Sequence, residues 1–212
     1  MSRLLVYRHI VPKQWKTKLS SEGAGLLSDR SLRVIVIFHG AYHDRHNKDR
    51  MKFYQHLMKE DLQLLMFSMR GFGDSAGTVD AESAIEDVER ILEYVDSHAG
   101  DNSITLWAYS LGTTVVPEAI RRFPVRKIDM MIMESAIHNT ADPMWHGMQE
   151  NLKGFFPNKY KDLVIVPAMK EDDIYLEPFR VFEVMETPVL FLYSEDDPIV
   201  PRESTEKIVK EA

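Results

Sequence analysis

The run Ser103-Ile104-Thr105-Leu106-Trp107-Ala108-Tyr109-Ser110-Leu111-Gly112-Thr113-Thr114-Val115-Val116 constrains this chain more than any other stretch. It reads as a short buried strand, a sharp turn with a serine at its tip, and a helix. Small residues two before and two after the serine, Ala108 and Gly112, let strand and helix pass close together. Ala108 stands where the Gly-x-Ser-x-Gly pattern has its first glycine. A serine on so tight a turn sits in strained backbone, with its hydroxyl pushed out beyond the sheet edge. The amide of Leu111 then lies at a helix N-terminus, where the dipole and the N–H groups suit an oxyanion. A serine that merely caps an ordinary helix leaves the same short pattern, so the rest of the chain has to decide between the two.

The uninterrupted run Val34-Ile35-Val36-Ile37-Phe38 predicts a strand buried on both faces, as in a parallel sheet. Further strands are predicted over residues 4–11, 62–66, 128–133 and 189–193 and in the run before Ser110, with helices over 47–59, 81–97, from the elbow to about 123 and at the end of the chain. Ile85, Val88, Leu92 and Val95 share one face of the 81–97 helix, and Met51, Tyr54 and Met58 share one face of the 47–59 helix. Residues 20–31 read as a turn containing glycine and serine, and residues 137–178 as an irregular segment rich in Met, Trp, Phe and Pro. Strands that alternate with helices, each strand uniformly apolar, predict an α/β fold with a mostly parallel sheet in one domain spanning 1–212. In such sheets ligands bind beyond the carboxyl ends of the strands, and Ala41, Ser110 and Asp197 each fall just past such an end.

Composition narrows the function classes. The chain is 44% hydrophobic and 28% charged, as a globular protein is. A net charge of −7 without a basic stripe argues against a nucleic-acid partner. There is no cysteine, hence no disulfide framework or thiolate metal site, and the His and carboxylate spacings match no zinc pattern. No signal peptide or membrane-spanning run is evident, which predicts a soluble chain as written.

His39-Gly40-Ala41 sits where a second oxyanion donor is needed, with the Ala41 amide pairing that of Leu111. In Glu195-Asp196-Asp197, Asp197 is the candidate to orient a base, with Asp196 as the alternative. Arg70-Gly71-Phe72-Gly73-Asp74-Ser75-Ala76-Gly77 spaces its glycines one residue too long for a dinucleotide loop, so it reads as a structural turn and no cofactor is expected. Eight histidines occur, at 9, 39, 43, 46, 56, 98, 138 and 146, and none follows Asp197. His138 and His146 fall in the irregular segment without anything to orient them on Ser110; pocket-lining or surface positions are the plainer reading.

Taken together, Ile10-Val11-Pro12 with Trp15, His39-Gly40, residues 70–77, Gly100-Asp101-Asn102, Ser110-Leu111-Gly112-Thr113, Glu134-Ser135 and residues 195–201 resemble the membrane-associated α/β-hydrolase-domain lipases that act on lysophosphatidylserine and monoacylglycerol. The resemblance covers residues 5–205. It implies an α/β-hydrolase fold, a lipid acyl ester as substrate, Ser110 as nucleophile, Asp197 as triad acid, and the Leu111 and Ala41 amides as oxyanion hole. It also implies a cap over residues 137–178, whose Trp145, Met148, Phe155 and Phe156 suit lipid tails, and contact with a membrane surface at the endoplasmic reticulum or another internal membrane. The family's N-terminal membrane helix, last strand and histidine loop have no counterpart in these 212 residues, so weak hydrolysis is expected, about 10³-fold over water. The alternative is a non-catalytic lipid-binding or interaction protein on the same scaffold.

Overall fold

The computed structural model describes residues 5–41, 47–123, 128–152, 154–178, 182 and 186–211. Its strands are β1 (Val6–Ile10), β2 (Arg33–Phe38), β3 (Leu62–Ser68), β4 (Ile104–Tyr109), β5 (Met130–Glu134) and β6 (Val189–Leu192). They form one sheet in the order β1-β3-β2-β4-β5-β6, with β1 antiparallel to β3 and every other pair parallel. The helices are α1 (Lys16–Glu22), α2 (Lys48–Leu57), α3 (Ala81–Ala99), α4 (Gly112–Arg122), α5 (Ala141–Asn151), α6 (Val166–Glu171) and α7 (Arg202–Glu211).

The β-branched run folds as its pattern demands. Successive side chains of a strand point to opposite faces. Val34, Val36 and Phe38 therefore join Ile85 and Val88 of α3, Val115 and Val116 of α4 and Ile208 of α7 in one core, while Ile35 and Ile37 join Tyr54 of α2 in the other. Both faces of β2 are covered, and each buried aliphatic side chain contributes about 1.5–3 kcal/mol relative to exposure. The predicted faces of the 47–59 and 81–97 helices are the faces that pack. An Asp80–Ser83 capping box opens α3: Ser83 N–H donates to Asp80 Oδ1 at 2.7 Å, and Asp80 N–H to Ser83 Oγ at 3.1 Å.

Helices on opposite faces make β2 and β4 a switch point. From β2 the chain crosses through α2 on one face to β3; from β4 it leaves through α4 on the other face to β5. The crevice between two such parallel neighbours is where α/β sheets place ligands.

Two expectations are corrected. Residues 20–31 are not a simple turn: α1 reaches Glu22, and a 3-10 helix over Gly23–Ser28 follows, anchored by the fully buried Leu26 and Leu27. Residues 137–178 are not irregular: they hold α5, a π-helical turn (Lys161–Ile165) and α6.

Candidate active site

Ser110 joins β4 to α4 at φ +50°. A left-handed conformation costs a side-chain-bearing residue about 1–3 kcal/mol and persists only where its surroundings hold it. Here they do. The Ser110 N–H donates to the Glu134 carbonyl at 2.9 Å, and the Ser110 carbonyl accepts from the Thr113 N–H at 2.8 Å and its hydroxyl at 2.5 Å. Close approach explains the small neighbours. A Cβ on Gly112 would stand 2.8 Å from the Phe38 carbonyl, and one on Gly40 2.9 Å from Ser110 Cβ. Ala108 is fully buried, in register with Phe38 and Met133, so its methyl fits where a glycine was expected.

Gly40 thus brings the loop after β2 onto the elbow, and the preceding histidine sets its orientation. The buried His39 accepts the Met69 N–H at Nε2, 3.0 Å away, so its proton is on Nδ1, which donates to the Gly40 carbonyl at 2.9 Å. With the Gly40 carbonyl aimed at His39, the Ala41 N–H of the same trans peptide points the opposite way. Ala41 itself is exposed, and the Leu111 amide stands at the N-terminal end of α4. His39 is therefore an orienting group with both ring nitrogens engaged.

Asp197 lies past the end of β6. Its Oδ1 accepts from the Ile199 and Val200 amides at 2.9 and 3.0 Å, and its Oδ2 from the Ser135 hydroxyl at 2.9 Å. Asp196 is exposed, and its carboxylate accepts from Ser194 Oγ at 2.6 Å, a bond that holds it below the usual carboxylate range. Of the three carboxylates, Asp197 is the one turned inward. The registers Tyr109↔Glu134 and Glu134↔Leu192 bring the ends of β4, β5 and β6 to one edge.

A cluster beside the elbow escaped sequence reasoning. Glu134 Oε2 accepts from Arg50 Nη1 at 2.7 Å and Trp107 Nε1 at 2.9 Å, while the Arg50 guanidinium lies 3.8 Å from the Tyr109 ring centre. Burial disfavours the Arg50 charge, but Glu134 more than offsets it and the guanidinium stays above its ordinary range. Burial pushes the neighbouring Tyr54 phenol up to about 12. A cavity of about 320 Å³, lined by Asn47, Asp49, Arg50, Phe53 and Glu134, opens here. Arg50 and Glu134 are 84 residues apart, so no local pattern joins them.

The histidines go elsewhere. His9 Nε2 pairs with Gln63 Oε1 at 2.9 Å, and burial lowers its pKa. His98 Nδ1 donates to the Tyr94 carbonyl at 2.7 Å. His138 Nε2 meets Glu211 Oε2 at 3.0 Å, and His146 lines a separate cavity of about 430 Å³ with Asp142, Trp145 and Lys207. His43 and His46 lie outside the described residues. Among the described residues, no histidine hydrogen-bonds the Ser110 hydroxyl, and no group of three metal-ligating side chains gathers. The 70–77 stretch is a structural turn: Arg70 is buried against Asp87 at 2.5 and 2.8 Å, and Gly71, Gly73 and Gly77 take positive φ.

A strained serine between strand and helix, at the switch point of a doubly covered parallel sheet, defines the α/β-hydrolase class. The chain belongs to the α/β hydrolase fold family, which it matches over residues 33–164. It is similar to lysophosphatidylserine lipase ABHD12 of Mus musculus (27% identity over 201 residues, 91% of this chain and 49% of that protein). The same lipase of Macaca fascicularis is 26% identical over 198 residues, with the same two shares, and Protein ABHD12B of Homo sapiens 26% over 185, covering 82% and 48%. The chain spans about half the length of these curated relatives. Among solved structures, the Pyrococcus furiosus esterase Pf2001 aligns at TM-score 0.67 with 17% identity over 99% of this chain and 77% of that one. An α/β serine hydrolase homologue from Coxiella burnetii aligns at 0.61 with 19% identity over 98% and 76%. Likeness at such identity speaks for the fold. Among the described residues no helix is long and apolar enough to cross a membrane.

Proposed function

We propose that this chain is a serine hydrolase of lipid acyl esters, with a lysophospholipid or monoacylglycerol as substrate. The observation that carries the reading is Ser110 held at φ +50° between β4 and α4. Its Oγ attacks the ester carbonyl while a base takes its proton. The amides of Leu111 and Ala41 hold the developing oxyanion, the alcohol leaves with a proton, and water then releases the acyl group from the serine. Asp197 orients the base, with Asp196 too exposed for that role. The Ala41 assignment draws support from the Gly40 peptide orientation that His39 imposes. The base is not one of the described histidines in its present contacts.

The lipid character of the substrate rests on the lipase-named relatives and on residues 137–178, which we assign as a cap. Trp145 is buried there, while Phe155 and Leu163 are 78% and 67% exposed, a surface suited to acyl chains or a membrane face. Hydrolysis assays on lysophosphatidylserine, a monoacylglycerol and a short-chain nitrophenyl ester test the reading, each with Ser110→Ala as control. Serine-dependent turnover that favours the lipid esters supports it. Turnover of the short ester alone would contradict the lipid assignment. The pairing of His138 with Glu211 favours a second reading, a lipid-binding scaffold without catalysis; saturable lysophospholipid binding with no Ser110-dependent turnover would establish that instead.

A further inference from the structure

Ser110 is not alone in its strain. Ser135, the residue after β5, also sits at φ +50°, and the parallel register that pairs Tyr109 with Glu134 makes the two serines counterparts on neighbouring strands. Glycine is the residue that such a conformation favours. A serine there retains a hydroxyl, and that hydroxyl has a specific partner: Ser135 Oγ donates to Asp197 Oδ2 at 2.9 Å. The Ser135 N–H donates in turn to the Leu192 carbonyl at 2.8 Å, tying the same residue to the end of the strand that leads to Asp197. Immediately before it, the Glu134 carbonyl accepts the Ser110 N–H at 2.9 Å. Residues 134 and 135 thus touch the candidate nucleophile on one side and the candidate acid on the other.

We propose that Ser135 is a positioning residue, whose hydroxyl fixes the Asp197 carboxylate in the orientation that hydrolysis requires. This rests on the reading of Ser110 and Asp197 given above. The Ile199 and Val200 amides hold only Oδ1. Without the Ser135 hydroxyl the carboxylate plane is free to turn about that anchored oxygen, and Oδ2 no longer has a fixed place from which to orient the base. Ser135 is itself buried, and it acts through Asp197.

The test compares Ser135→Ala with Ser135→Gly, because the two separate strain from hydrogen bonding. Both lose the hydroxyl, but only glycine relieves the positive φ, so the glycine variant melts higher than the alanine variant. The readout is the second-order rate constant for fluorophosphonate labelling of Ser110, with Asp197→Ala and the Ser135→Ala/Asp197→Ala double variant measured alongside. We expect labelling to fall by about tenfold or more in both single variants, as loss of a hydrogen bond to a charged group implies. We also expect no further fall when Ser135→Ala is added to Asp197→Ala. Wild-type labelling rates in both variants would overturn the assignment. So would rates that follow melting temperature, or a full additional loss in the Asp197→Ala background. Absence of Ser110 labelling in the wild-type protein would instead overturn the hydrolase reading, and this role with it.

Discussion

Gly40 is the residue on which the proposed oxyanion geometry turns. An added methyl group would sit 2.9 Å from Ser110 Cβ and 3.0 Å from the Tyr109 ring, so Gly40→Ala must displace either the loop or the elbow. Overpacking of this kind costs about 1–3 kcal/mol. We predict a corresponding drop in the denaturant midpoint, together with a fall of tenfold or more in kcat/KM for any ester the protein hydrolyses; unchanged activity would show that the loop and Ser110 do not act together. Ser110 supplies a second prediction. Replacement by glycine removes the hydroxyl and the left-handed strain, whereas replacement by alanine removes only the hydroxyl. Allowing for the greater freedom of glycine in the unfolded chain, Ser110→Gly should exceed Ser110→Ala in stability by about 0.5–1 kcal/mol. Equal stabilities in urea titrations would mean that the turn stores no strain. At this scale the sequence displayed the serine, its small neighbours and Asp197. It did not display how His39 aims the Gly40 peptide, because that depends on Met69, thirty residues away in sequence.

At the scale of elements, legibility followed periodicity. The run in β2 and the stripe of Ile85, Val88, Leu92 and Val95 in α3 announced themselves because one period matches one buried surface. Helix α5 did not, since Pro143 and Gly147 interrupt the sequence pattern, though not the helix, and its buried residues are only Ala141, Asp142 and Trp145. The 3-10 segment after α1 was hidden by Gly23 and Gly25, whose turn signal outweighed the buried pair Leu26 and Leu27. Two predictions concern how elements are tied. Arg70, in the turn after β3, is buried against Asp87 of α3, and Asp87→Ala leaves that cation only the more exposed Glu86, 3.1 Å away. Loss of about 1–3 kcal/mol is expected from the lost buried hydrogen bonds, read as an unfolding midpoint below wild type; a loss under 1 kcal/mol would mean the pair is dispensable. His9, in the edge strand β1, has its pKa lowered by burial, only partly offset by its bond to Gln63. The unfolded chain therefore binds this proton more readily, and stability falls as pH drops below the ordinary histidine value of 6.5 toward the lowered folded one. Well above 6.5 the group contributes no slope. A His9→Gln variant should lose less stability between pH 7.5 and 5.5 than wild type, by up to about 1.4 kcal/mol per pH unit; identical slopes would contradict this.

For the whole molecule, strand order decides the site. The crossover from β2 through α2 and that from β4 through α4 run over opposite faces, which opens the crevice where Gly40 and Ser110 meet. Alternating apolar strands and helices foretold this architecture without giving the order, which depends on which faces the helices cover. The Arg50–Glu134–Trp107 cluster was illegible for the same reason: three side chains from α2, β5 and β4 converge only once the sheet is assembled. Everything proposed about chemistry depends on Ser110 being a nucleophile. The direct measurement is fluorophosphonate labelling of the folded protein, read by mass spectrometry at Ser110 and repeated on Ser110→Ala. One modified peptide is expected, carrying the label on Ser110 and absent in the variant. A folded protein that takes no label, or takes it equally in Ser110→Ala, would contradict it.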